Sequence, residues 1–185
     1  MEAIYIDKHY QLVVECKQGS KKACYELYRL YAKAMLNVAF RILNNIDEAE
    51  DVLQESFLDA FSKVKDFRQE TTFGLWLKQI VVNRSINCLR KRKIEWVEME
   101  SEQLENIPSE EQPDEEDMQY KVAQVKQAMQ LLPEGYRVVL SLYLLEGYDH
   151  EEIGHILNIT ENTSRTQFLR AKRKLSEMLR IKGVA

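Results

Sequence analysis

The sequence predicts an all-α protein, two helical bundles joined by an acidic linker. Apolar residues recur at three- and four-residue spacing through most of the chain, and no stretch alternates apolar with polar residues long enough to suggest a strand. Six Gly and three Pro in 185 residues leave little chemistry for the many turns an all-β fold needs. The acids are also unevenly spread: residues 95–119 hold 11 of the 30 Asp and Glu, two of the three prolines, and no Lys or Arg. Like charges at that density disfavour packing, so this stretch reads as a flexible linker between bundles at 1–94 and 120–185.

In the first bundle, Ala23, Leu27, Leu30, Tyr31, Ala34, Met35, Val38 and Ile42 share one face of a helix running from Ser20 to about Leu43. Asn44 and Asn45 end it. Asp47 is expected to cap the next helix, with Glu50 completing a capping box and Leu53, Phe57, Ala60, Phe61 and Val64 turned inward. A third helix spans about Thr72 to Arg92. Its start is core-like, with Phe73, Trp76, Leu77, Ile80 and Val81. Its exit, RSINCLRKRK, gathers Arg84, Asn87, Arg90, Lys91, Arg92 and Lys93. Cations there complement the helix dipole by about 0.3–1 kcal/mol each. Four in a row also suit a phosphate backbone.

Beyond the linker, Val122, Val125, Ala128, Met129 and Leu132 mark a helix that stops near Pro133, and residues 134–146 form another that ends at Gly147. Residues 149–182 then carry the strongest local signal in the chain. Asp149 and Glu152 form a capping box before a short helix with Ile153, Ile156 and Leu157 on one face. Asn158 suits the left-handed position that ends a helix, and Thr160 suits the cap of the next. A long basic helix follows, with Phe168, Leu169, Leu175, Met178 and Leu179 apolar and Arg165, Arg170, Lys172, Arg173 and Lys174 polar. This order is a helix-turn-helix. Thr163, Ser164, Arg165, Thr166 and Gln167 stand at the end of the second helix that meets base edges, where Arg suits guanine and Gln suits adenine.

The formal charge of −4 does not exclude nucleic acid, because outside the linker 26 Lys and Arg face 19 acids, a surplus of +7. Screening within roughly 8 Å at physiological salt isolates a basic face from a distant acidic segment. Cys16, Cys24 and Cys88 are odd in number and lack CxxC spacing, so reduced cytoplasmic thiols are expected rather than a disulfide framework or a zinc site. The first residues carry charges inside their apolar stretch, and the longest apolar run, Val138 to Leu145, is too short for a bilayer. A cytoplasmic protein is expected.

The blocks AEDVLQESFLDAFSKVKDF, FGLWLKQIVVNRSINCLRKRK and LLPEGYRVVLSLYLLEGYDHEEIGHILNITENTSRTQFLRAKRKL together resemble the extracytoplasmic-function (ECF) sigma factors of bacteria, group 4 of the primary sigma factor family. The resemblance covers both bundles in order. It implies that residues 1–94 are sigma region 2, which binds the clamp helices of core RNA polymerase and opens the minus-10 element. Residues 120–185 would be region 4, which binds the minus-35 element and the polymerase flap. On the resemblance, Asp51, Gln54 and Glu55 face the clamp helices. The loop FRQETT, from Phe67 to Thr72, takes a base flipped from the non-template strand, with Phe67, Arg68 and Phe73 at the loop and Asn83, Arg84, Asn87 and Arg90 along the next helix. Phe73 and Trp76 equally suit a core.

For the minus-35 element the expected residues are Thr163, Ser164, Arg165, Thr166, Gln167, Arg170 and Lys172. Gln167 departs from the commonest family pattern, which has Arg there, so base preference cannot be carried over. The resemblance further implies promoter DNA and an anti-sigma factor, membrane-linked in many relatives, as partners. No cofactor, metal or small-molecule substrate is expected.

Two rivals remain. A conventional helix-turn-helix regulator would bind operators as a dimer without polymerase, and the block DVLQESF separates it from a sigma factor. A magnesium enzyme would start from the carboxylates Asp47 to Glu55, but no phosphate-cradling Gly loop accompanies them.

Overall fold

The computed structural model describes residues 8–92 and 115–181, with side chains at 8–92 and 122–180. Every regular element among them is helical. The chain separates into two compact units, Met1–Ile94 and Glu95–Ala185.

The first unit comprises α1 (Tyr10–Lys17), α2 (Lys21–Leu43), α3 (Ile46–Lys63), a 3-10 turn (Val64–Asp66) and α4 (Phe73–Lys91). Each long helix starts on a polar cap. Ser20 Oγ accepts from the Ala23 amide at 3.3 Å, Asn45 Oδ1 from Glu48 at 3.2 Å, and Thr72 Oγ1 from Leu75 at 3.3 Å. Such caps are worth about 1 kcal/mol apiece. Asn44 ends α2 in the left-handed region, φ 52°, and Asn45 is already extended, so it caps α3 two residues earlier than the expected Asp47. Asp47 lies instead in the first turn of α3, where its charge complements the dipole.

α2, α3 and α4 pack on one another around Leu27, Ile42, Leu43, Phe73, Leu77, Val81 and Leu89, all fully buried. Each such side chain contributes roughly 1.5–3 kcal/mol. Leu30 and Ala34, expected on the inner face of α2, are exposed: the buried stripe runs through Ala23, Leu27, Met35, Val38, Ala39 and Ile42, and these two lie on its flank.

α1 is an element beyond those the sequence predicts. It buries Val13 and Cys16 against α2. The expectation of free thiols at Cys16 and Cys24 is corrected here, because the two are joined in a disulfide. The turn at Gly19, φ 91°, folds α1 back so that their Cα atoms lie 5.2 Å apart, a proximity that a spacing of eight does not advertise.

The second unit contains α5 (Glu115–Gln130), α6 (Glu134–Leu144), α7 (His150–Leu157) and α8 (Glu161–Ile181). α5 begins inside the stretch read as linker, since Glu115, Glu116 and Asp117 suit a first helical turn as well as they suit a charge run. The rest of that acidic stretch, like Lys93, lies outside the described residues. Ala128, Met129, Leu132, Leu140, Ala171 and Leu175 form a core of α5, α6 and α8. Ile153 and Leu157 turn α7 inward. No described helix is long and apolar enough to cross a membrane.

Candidate functional site

Three surfaces carry the chemistry. On α3, Asp51, Gln54 and Glu55 are all exposed, and their spacing of three and four residues puts them on one face. Leu58 extends that face by one turn and is 71% exposed, the most exposed large apolar side chain among the described residues of the first unit. Its place four residues after Gln54 is the one sequence signal that points to it.

Between α3 and α4 runs an open groove lined by Asp51, Glu55, Asp59, Asn83, Arg84 and Asn87, among others. Arg84 spans it. Its Nε donates to Asp59 Oδ2 at 2.8 Å, and its Nη1 pairs with Glu55. Arg84, expected at the minus-10 DNA, ties the two helices together here, and Glu55, expected at the clamp helices, is engaged by it. Asn83, Asn87 and Arg90 project outward from α4, with Arg90 Nη1 donating to Asn87 Oδ1 at 3.3 Å. Cys88 also faces the groove, and burial is the main cause that pushes its thiol above the usual range, with Lys91 opposing.

The loop from Phe67 to Thr72 departs further from expectation. Phe73 is fully buried and Phe67 is 6% exposed, so both belong to the core and neither offers a free ring to a base. Phe67 stacks on Trp76 at 4.8 Å, and Phe73 packs against Tyr31. Their aromatic character was read as a pocket, but rings beside a helix start also close a core. Arg68 remains, strongly exposed, beside Gln69, whose φ of 61° is rare for a residue with a side chain. Lys17 of α1 braces the loop by donating from Nζ to the Phe67 carbonyl at 2.6 Å.

In the second unit the helix-turn-helix forms as its sequence predicts. Glu152 N donates to Asp149 Oδ1, and Asp149 N donates to Glu152 Oε2, each at 2.8 Å. Asn158 ends α7 at φ 59°, and the Thr163 amide donates to Thr160 Oγ1 at 3.0 Å. Gly154 makes the turn possible: a Cβ there would meet the Ile159 carbonyl oxygen at 2.9 Å. No local pattern in the sequence marks this glycine as part of the turn.

α8 exposes Asn162, Arg165, Leu169 and Lys172 along one stripe. Arg165 pairs with Glu161 on the same face. Thr163, Thr166 and Arg170 are partly exposed, with Thr166 Oγ1 donating to the Asn162 carbonyl. Ser164 and Gln167 are buried, at 0% and 7% exposure, and are corrected from base readers to groups that face the unit's interior. Leu169, expected inside, is 39% exposed between Arg165 and Lys172. The physical reason is rotation: at 100° per residue, a stripe through 162, 165, 169 and 172 leaves 164, 167, 171 and 175 inward.

With this geometry in view, comparison with known proteins is specific. Residues 27–94 match the family model for Sigma-70 region 2, and residues 123–175 match that for Sigma-70, region 4. The RNA polymerase sigma factor SigV of Bacillus subtilis (strain 168) is 32% identical over 160 residues, covering 86% of this chain and 86% of that one. The ECF RNA polymerase sigma factor SigW of the same organism is 28% identical over 177 residues, 91% of this chain and 95% of the relative. Among solved structures, the sigma factor RpoE in complex with the anti-sigma factor NepR from Bartonella quintana shares the fold, with a TM-score of 0.53 and 23% identity over 85% of this chain and 96% of that one. The chain belongs to the ECF group of RNA polymerase sigma factors, which direct transcription initiation.

Proposed function

We propose that this sigma factor works through three of the surfaces described above. The α3 face of Asp51, Gln54 and Leu58, with Glu55 at its edge, docks on the clamp helices of core polymerase. Arg68 with Asn83, Asn87 and Arg90 handles the minus-10 element. Arg165, with Thr163, Thr166, Arg170 and Lys172 around it, handles the minus-35 element, and residues 95–114, ahead of α5, serve as the acidic linker between the two domains. The protein is cytoplasmic and has no catalytic chemistry of its own. An anti-sigma factor is its regulatory partner, in keeping with the NepR complex of the Bartonella quintana neighbour.

The observation that carries the minus-35 part is the exposure of Arg165 and Lys172 on one stripe of α8. A guanidinium held there can donate in bidentate fashion to guanine O6 and N7. The test is assembly. The full chain mixed with sigma-free core polymerase is expected to elute with it and to acquire promoter binding only then. A chain that binds operator fragments as a dimer and never elutes with core polymerase is an operator-binding regulator instead.

A further inference from the structure

His150 is the first residue of α7, and its side chain touches two further helices, α6 and α8. Its ring stacks on Tyr143 of α6, with centroids 4.5 Å apart and planes at 18°. Its edge meets Phe168 of α8 at 5.5 Å. Its Nδ1 lies 3.0 Å from Ser164 Oγ, a hydroxyl in a residue with no exposed surface. Ser164 immediately precedes Arg165. On the outer side of the same turn, Thr160 caps α8 by accepting from the Thr163 amide.

We propose that His150 is a positioning residue for minus-35 recognition: through Ser164 it holds the first turn of α8, and with it Arg165, at the angle where the guanidinium meets a base edge. The inference rests on the reading of α8 as the minus-35 reader and adds to it a residue that does not touch DNA. The argument is geometric. Arg165 is a long side chain on an exposed helix end, so a rotation of α8 about its axis is amplified at the guanidinium. A bidentate contact tolerates little such displacement. The aromatic stack fixes the imidazole against α6, and the Ser164 hydrogen bond passes that constraint to α8 on the face opposite the DNA.

The imidazole is also suited to be neutral. Burial comes first in lowering its pKa from the usual value, and Arg165 adds to it, against Glu161 and Asp149. Tyr143 and Phe168 complete its surroundings. A neutral ring can donate to or accept from the serine hydroxyl, whichever tautomer it holds.

The test uses the full chain in holoenzyme with core polymerase. Start sites are first mapped on host genomic DNA, and one promoter is then prepared with every single-base substitution across its upstream element. His150→Phe keeps a stacking ring but removes the hydrogen bond, and Ser164→Ala removes it from the other side. Each is expected to lower discrimination by roughly tenfold at the base pairs that Arg165→Ala also affects, and at no others. The double variant should be no worse than either single one. His150→Asn, whose amide reaches the Nδ1 position, should recover most of the loss. Thermal melting and holoenzyme assembly, measured alongside, should stay near wild type for Ser164→Ala.

Wild-type discrimination in both single variants, with Arg165→Ala defective, overturns the positioning role and leaves the reading of α8 intact. A loss spread evenly over all upstream positions also overturns it. Wild-type transcription indifferent to the upstream element removes both.

Discussion

Arg84 of α4 donates to Asp59 of α3 at 2.8 Å across the groove and pairs with Glu55 one turn earlier. The helix that carries Asp51, Gln54 and Leu58 is thus tied to the helix that carries Asn83 and Asn87. Replacing Arg84 by Ala leaves two carboxylates facing a groove without their cation. Because all three side chains retain partial exposure, the expected loss is about 1–2 kcal/mol, below that of a fully buried pair. Urea unfolding measures it. A change in minus-10 base preference without a stability loss would return Arg84 to the DNA-contacting set.

Asp51→Ala, Gln54→Ala and Leu58→Ala should each weaken holoenzyme assembly, with Leu58→Ala among the larger effects, because an exposed apolar side chain amid polar ones gains most when a partner covers it. Stability should change by less than about 0.5 kcal/mol, as expected of exposed positions. Equilibrium binding to core polymerase and thermal melting separate the two. Unchanged affinity in all three variants would remove this face from the interface.

Arg165→Ala should cost about 1–3 kcal/mol of discrimination at one or two base pairs. Gln167→Ala, by contrast, should lower stability and leave base preference alone, since its side chain is buried. Transcription from substituted promoters, read against melting temperature, tests the pair. Base-specific loss in Gln167→Ala would contradict the inward placement.

Gly154→Ala would press a methyl group against the Ile159 carbonyl in the turn of the helix-turn-helix. Backbone cannot yield there as a flexible side chain would, so a loss of about 1–3 kcal/mol is expected. The first unit should be untouched. Hydrogen exchange reports both units at once, and a variant as protected as wild type at α7 and α8 would show that the turn has room.

The lowered pKa of His150 gives a pH dependence of definite sign. The unfolded chain binds this proton more readily than the folded one. Stability from this group is therefore complete above the unfolded value near 6.5 and is lost as pH falls below it toward the folded pKa. Melting temperature should decline over that window more in the wild type than in His150→Phe. Parallel curves would contradict the assignment.

Helix-turn-helix geometry was readable from residue type because caps act locally: Asp149, Glu152, Asn158 and Thr160 each do the work their own side chains permit. What could not be read was rotation and distance. Ser164 and Gln167 look like Thr166 and Arg165 in sequence, and only packing against α6 and α7 turns them inward. Phe67 and Phe73 carry rings fit for either a base or a core, and burial decides. Arg84 lies 25 residues from Asp59, Cys16 eight from Cys24, and no local pattern announces either pair. Leu58 and Leu169 were legible as apolar but not as exposed, because the width of a buried stripe depends on what lies against it.

Run-off transcription on host genomic DNA, with purified chain added to sigma-free core polymerase, is the decisive measurement. Start sites should appear only when both are present and should share two spaced elements, with the upstream element losing its influence in Arg165→Ala and all initiation falling in Gln54→Ala. Initiation that is absent, or that ignores both substitutions, would mean that these surfaces do not bring polymerase and promoter together.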